Sequence, residues 1–256
     1  MKIVVCIKQV PDSTAKVVVE QGKVVWGDAP LIINPWDEYA VEAALQQKEA
    51  LGGTVTTVTI GDESTKEALK RALAMGADDA ILINDPALVN MDTQATAQIL
   101  AAVIRKIGGV DMAFFGRQAI DGDSGLVPAQ TARLLGWPAL TLTSVIKVEG
   151  DNVRVERGVE EGRQIVTAKL PAVFSITKDF GEPRYPSFMG IRKASRAEIP
   201  TLLLTGVGIT APVSVIAWPE IINPPSREVT CEFITGSSPE EIAETLANKI
   251  LAEKVL

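Results

Sequence analysis

The 256-residue sequence predicts an α/β fold, a Rossmann-like parallel sheet flanked by helices, with antiparallel strand additions and a C-terminal arm ending in a helix. Three observations carry this. Near-continuous apolar runs, β-branched or aromatic, alternate with helical patterns through the first half. Shorter runs of alternating polarity, joined by turn residues, interrupt that rhythm. A proline-rich stretch then leads into one strong helix start.

Strands are expected at residues 3–7, 55–60, 80–83 and 112–115. A helix is expected at 38–50, with Val41, Ala44, Leu45 and Lys48 at helical spacing. A second covers 64–75, with Ala68, Leu69, Ala72 and Leu73 on one face and Gly76 as its stop. A third covers 93–107 and ends at Gly108-Gly109. A fourth runs from near Leu126 to Leu135-Gly136-Trp137-Pro138. Such alternation argues for right-handed crossovers between parallel strands. Residues 16–20 and 23–26 flank Gln21-Gly22 as a hairpin, and 145–149 with 153–156 surround Gly150-Asp151-Asn152, followed by a strand at 164–168. Residues 170–176 return to a fully apolar strand. Residues 199–237 read as a long arm with short strands, and Ser238-Pro239-Glu240-Glu241 as a capped helix start running to about Ala252. The expected division is a nucleotide-binding α/β domain at 1–198 and an arm with its helix at 199–256, packing on this subunit or on a partner.

The net charge of −7 argues against general affinity for nucleic acid or anionic membrane. The chain has no histidine and two cysteines, Cys6 and Cys231, which leaves little for a zinc site, a serine triad or a thiol protease. Cys6 lies inside an apolar strand and reads as a small buried hydrophobe. The sparse cysteines fit a reducing, cytoplasmic setting. Residues 1–8 are too short and too soon charged for a signal peptide, and no apolar run reaches the roughly 20 residues of a membrane helix.

In open α/β sheets, ligands bind beyond the carboxyl ends of the strands. Here those ends carry Cys6-Ile7-Lys8, Ile60-Gly61-Asp62 and the longest loop, Gly116-Arg117-Gln118-Ala119-Ile120-Asp121-Gly122-Asp123-Ser124-Gly125-Leu126-Val127. Asn34-Pro35-Trp36-Asp37 adds a polar turn before a helix. Together they suggest a nucleotide pocket. In it, Asp121 and Asp123 face ribose or cap the next helix, and the N–H groups of Ser124 to Val127 face phosphate. The alternative is that the two aspartates merely shape a turn and cap that helix. The loop is neither a Walker A sequence nor a G-x-G-x-x-G fingerprint. A second candidate is 176–191, where Tyr185, Phe188, Met189 and Ile191 stand among Pro183, Arg184 and further Pro, Gly and Arg residues. It reads either as a loop burying its own aromatics or as a docking loop with an apolar anchor and a basic rim.

Ordered along the chain are Val5-Cys6-Ile7-Lys8-Gln9-Val10-Pro11-Asp12, Asn34-Pro35-Trp36-Asp37-Glu38-Tyr39-Ala40, Ala72-Leu73-Ala74-Met75-Gly76-Ala77-Asp78, Gly116-Arg117-Gln118-Ala119-Ile120-Asp121, Pro183-Arg184-Tyr185 and Ile191-Arg192-Lys193-Ala194. With these motifs the chain resembles the β-subunit of electron transfer flavoprotein over nearly its whole length. The resemblance implies a heterodimer with an α-subunit that carries the redox FAD, and a structural AMP in this subunit. It also implies electron uptake from an acyl-CoA dehydrogenase of fatty acid oxidation and delivery to a quinone reductase. The β-subunit is then a carrier subunit rather than a catalyst. Carried over, the AMP site would be Cys6, Asn34 to Asp37, Ile60 and Gly116 to Val127. Docking would fall to Pro183, Arg184, Tyr185, Phe188, Met189 and Ile191, with Phe188 where the family often has a leucine. Two departures stand out. Gly158 replaces an acid that reaches toward the α-subunit flavin region, leaving Glu160 or Glu161 for any such contact. Asp121-Gly122-Asp123 with Val127-Pro128 resembles the electron-bifurcating branch, in which a second FAD replaces AMP. A stand-alone nucleotide-binding enzyme is the rival of another class.

Overall fold

Strand β1 (Lys2–Cys6) is buried almost throughout and sits between two parallel neighbours, β6 (Thr54–Ile60) and β8 (Met112–Gly116), in a computed structural model. The structure describes residues 1–89, 91–218, 220–223, 225 and 231–253; the parts of the expected arm at 219, 224, 226–230 and 254–256 lie outside the described residues. Between β1 and β6 come β2 (Gln9–Pro11), the hairpin β3 (Val18–Glu20) and β4 (Lys23–Val25), β5 (Leu31–Ile33) and helix α1 (Pro35–Leu51). Gln21 and Gly22 turn the hairpin, both at positive φ, as the right-handed twist of a two-residue loop requires.

The chain continues through α2 (Lys66–Met75), β7 (Asp79–Ile83), α3 (Thr93–Ile107) and, after β8, α4 (Val127–Leu135). Then come β9 (Ala139–Glu149), β10 (Asn152–Val159), β11 (Gly162–Lys169), β12 (Ala172–Ile176), the short helix α5 (Phe188–Ala194) and β13 (Thr201–Leu202). Among the described residues the main sheet has nine strands in the order β11-β10-β9-β12-β8-β1-β6-β7-β13. It is parallel from β9 to β13, and β10 and β11 extend it antiparallel. The expected α/β class with antiparallel additions is therefore the observed one. Two cores form, one per sheet face. Val5, Phe114 and Phe174 pack under α1 and α2, with the two phenylalanine rings stacked at 4.9 Å; Val4 and Phe115 pack under α3 and α4, in one cluster with Ile99 of α3.

Three boundaries differ from expectation for local reasons. Helix α1 begins at Pro35 rather than at residue 38, because proline suits the first helical turn, where its missing N–H has no partner to lose. The expected helix at 64–75 divides into a 3₁₀ turn, Glu63–Thr65, and α2, because Asp62 draws the Ser64 N–H to its carboxylate at 2.9 Å. Strand β9 is twice the length expected at 145–149. Its alternation is hidden by irregularities opposite Ser175 of β12 and between Glu156 and Arg157 of β10, with Leu142 at positive φ.

Met1–Ile221 forms one compact unit and Ile222–Leu256 a second. In the first, β13 adds a parallel edge to β7, and Asp92 at the start of α3 accepts N–H bonds from Ala95, Val215 and Ile216 at 2.7, 2.7 and 3.0 Å. The backbone around 214–216 is thus held at the α3 N-terminus while Val213, Val215, Ile216 and Trp218 remain exposed. In the second unit, α6 (Pro239–Ala252) is capped by Ser238 as its sequence implies. The Glu241 carboxylate, however, takes the N–H and hydroxyl of Ser237, one residue before the capping-box position. No residue of α6 is buried.

Candidate functional site

The C-terminal ends of β1 and β8 meet one side chain. Asp37, in the first turn of α1, accepts the Lys8 N–H at 2.7 Å and the Gly116 N–H at 3.1 Å, one on each carboxylate oxygen. Asp37 is buried, and burial pushes its carboxyl up to about 7 against the lowering pull of the Lys8, Asn34 and Gly116 hydrogen bonds and the Lys8 charge. Gly116 is glycine for a steric reason. A Cβ there would lie 2.6 Å from the Trp36 carbonyl carbon and 2.8 Å from the Asp37 nitrogen. Cys6 is buried beside this junction, and burial first, then the Asp37 charge, pushes its thiol far up, so it is an inert packing group.

Asn34 precedes α1 but does not cap it with its side chain. Its amide reaches across to the long loop instead, donating to the Gln118 carbonyl at 2.8 Å and accepting the Ile120 N–H at 3.2 Å. Arg117 lies over the Trp36 ring, 5.5 Å from its centre. Pro35 fixes the turn that aligns these groups. Ala119 accepts the N–H groups of Gly122 and Asp123, which closes a tight turn with Asp123 at a φ of 48°. Both aspartates thus lie in a turn, as the turn-and-cap expectation has it, but neither caps α4. Asp121 takes the Lys8 ammonium at 2.6 and 2.8 Å, and Asp123 takes the Gln118 amide at 2.8 Å. Lys8 and Gln118 hold the loop through their side chains. Sequence reasoning names Lys8, two residues after β1, at the strand end without a role; the structure makes it the partner of Asp121.

The remaining loop is a row of donors. Among the described residues no protein acceptor serves the N–H groups of Ser124, Gly125, Leu126 or Val127, and α4 starts at Val127. Pro128 removes one donor from that helix start. Ile60 stands on the same sheet edge at the end of β6, two strands from Gly116, and packs into the core under α3. Among the described residues no cluster of three metal-ligating side chains occurs, and no helix is long and apolar enough to cross a membrane.

The second candidate segment is not a loop throughout. After β12 it makes a 3₁₀ turn at Lys178–Phe180, continues without regular structure through Pro183, and forms α5 from Phe188, capped by Ser187. Its apolar side chains do not bury one another. Tyr185 is 90% and Phe188 79% exposed, with Met189 and Ile191 beside them. Arg192, Lys193 and Arg196 line a shallow basin of about 550 Å³ with Met189. Arg184 points inward, to Glu42 and Glu49 of α1. Gly158, with Glu160 and Glu161 after it, lies exposed toward the β10–β11 turn.

The fold and these strand-end loops define a Rossmann-like chain with its longest loop on the carboxyl edge of a parallel sheet. Residues 22–205 match the family model described as the electron transfer flavoprotein domain. The chain is 38% identical to "Electron transfer flavoprotein subunit beta" of Megasphaera elsdenii, with all of both chains covered. It is 36% identical to "Caffeyl-CoA reductase-Etf complex subunit CarD" of Acetobacterium woodii, again over all of both. To "Protein FixA" of Azotobacter vinelandii it is 35% identical, over 99% of this chain and 95% of that one. The chain belongs to the electron transfer flavoprotein family, among its β-subunits, and is an electron-transfer subunit.

Proposed function

We propose that this chain pairs with an electron transfer flavoprotein α-subunit, binds AMP at the β1 and β8 strand ends as a structural strut, and docks an acyl-CoA dehydrogenase through Phe188. Electrons then reach the FAD of the α-subunit and a quinone reductase. The observation that carries the nucleotide reading is the row of unbonded N–H groups at Ser124, Gly125, Leu126 and Val127, at the start of α4. That row fits a phosphate, even with the donor lost at Pro128. Asn34 and Asp37 fit the role of fixing the loop, and Gly116 the close approach of backbone to α1. A bound adenine nucleotide supplies anionic oxygens to this row and performs no redox chemistry.

Tyr185, Phe188, Met189 and Ile191, exposed beside the cations of α5, support docking. The exposed apolar residues at 213–218 and the unburied α6 support packing of the arm on the partner subunit.

A second reading keeps one specific observation. A Cβ at Gly122 meets nothing within 4 Å, so the loop leaves open space beside it for a larger dinucleotide such as a second FAD. Reductase complexes named among the relatives agree with that branch. Counting cofactors in the purified heterodimer decides between them. One FAD and one AMP are expected; two FAD per heterodimer overturn the AMP assignment. A competent, flavin-free monomer would overturn the carrier reading and favour a stand-alone enzyme.

A further inference from the structure

Five hydrogen bonds converge on Arg184. Its backbone N–H and Nε both donate to Glu42 Oε2, at 3.1 and 2.7 Å, and Nη2 donates to Glu42 Oε1 at 3.0 Å. Nη1 and Nη2 also reach Glu49 Oε1 and Oε2, at 2.5 and 3.2 Å. The two carboxylates are seven residues apart on α1, two turns along one face, and a planar guanidinium can serve both at once.

Glu42 is the unusual member. Its side chain is 6% exposed, and Gln46 donates to it at 2.9 Å. Burial raises its carboxyl, but the bonds from Arg184 and Gln46 overcome that and hold it below the ordinary glutamate range, so the pair is ionic. An arginine so committed has little left for a partner. The side chains beyond it point outward. Tyr185 comes next and is exposed; Ser187 caps α5 by accepting the Gly190 N–H at 2.9 Å; Phe188 is exposed again.

We propose that Arg184 is a positioning residue for docking, an internal clamp that pins the irregular segment before α5 to α1 and so fixes where Tyr185 and Phe188 project. The proposal rests on the docking reading above. The same helix carries Asn34 and Asp37 at its other end, so one rigid rod braces the nucleotide loop and the docking segment. Gly190 fastens α5 itself against the Ala74 carbonyl of α2, and Arg184 fastens the segment before it.

The test uses the intact heterodimer with Arg184→Met, Arg184→Lys and Arg184→Met/Glu42→Gln. The double variant matters because Arg184→Met alone strands a buried carboxylate and can damage the fold. In the double variant, amide exchange at 181–191 should quicken roughly tenfold or more. The KM of an acyl-CoA dehydrogenase for the heterodimer as electron acceptor should rise severalfold at nearly unchanged kcat, with flavin and nucleotide content intact. Lysine, able to serve one carboxylate, should restore part of both effects. Unchanged exchange and unchanged KM in the double variant overturn the clamp. If exchange quickens while neither this variant nor Phe188→Ala alters KM, the clamp stands and the docking reading fails.

Discussion

Two glycines of one loop should respond very unequally to the same added methyl group. At Gly116 the new Cβ meets backbone on the first turn of α1, 2.6 Å from the Trp36 carbonyl carbon, and also presses on the Asp37 carboxylate. That turn is braced by Pro35 and by the Asn34 bonds to the loop, so it cannot yield cheaply. Overpacking of this kind costs about 1–3 kcal/mol. Separating the Gly116 N–H from Asp37 leaves a buried group short of a partner, about 1–3 kcal/mol more. At roughly 2–4 °C per kcal/mol for a chain of this size, Gly116→Ala should lower the melting temperature by roughly 10 °C. At Gly122 a Cβ meets nothing within 4 Å and the φ is not positive, so Gly122→Ala should stay within about 0.5 kcal/mol of wild type. Circular dichroism melts of the two heterodimers compare them directly. Equal melting temperatures would refute the close-approach argument for Gly116.

Other outcomes rest on the same geometry. Burial lifts Asp37 from its unfolded value of 3.8 to about 7, so the folded chain holds a proton there that the unfolded chain releases. That contribution, of the order of a few kcal/mol, is present below about pH 4 and is lost as pH rises through about 7. The stability of wild type relative to Asp37→Asn, measured by urea unfolding, should therefore fall across that window; a flat difference would contradict it. Gly190→Ala should lift α5 from the Ala74 carbonyl at a cost of about 1–3 kcal/mol, read as faster amide exchange across 188–194. Phe188→Ala should slow electron uptake from the dehydrogenase with flavin content unchanged, and stopped-flow rates equal to wild type would remove the anchor.

The parallel body was legible because its strands and helices bury themselves by local pattern. Val4 and Val5, Leu69 and Ala72, Leu100 and Ile104 all fall on core faces that their spacing predicts. The strand-end loops were legible for the same reason, since a parallel sheet must turn somewhere at its carboxyl edge. What joins them was not. Asn34 meets Gln118 across 84 residues and Arg184 meets Glu42 across 142, and no periodicity encodes a pair that distant. The rule that Asp precedes helices as a cap misled at Asp121 and Asp123, because the cap position of α4 falls at Leu126, beyond both, and they take Lys8 and Gln118 instead. Helix α5 was hidden by its brevity, by Gly190 within it and by Pro186 just before it.

Strand β9 keeps count in an unusual way. Along a regular strand, which side of the sheet a residue faces depends only on whether it is an odd or even number of steps away. One supernumerary residue at Thr141-Leu142 reverses that parity, and a second at Ser144 reverses it back. Leu140, Ile146 and Val148 consequently share one core although the strand is broken twice between them. Thr143, between the two breaks, is buried as well. Removing one extra residue together with its bulge would keep Ile146 and Val148 on the core side, whereas deleting a residue elsewhere in the strand with both bulges kept would bring Lys147 and Glu149 round to it. Removing both extra residues would leave every face as it is. The tolerance of β9 to a deletion thus depends on where it falls: at an extra residue it is absorbed, and elsewhere it reverses every face that follows.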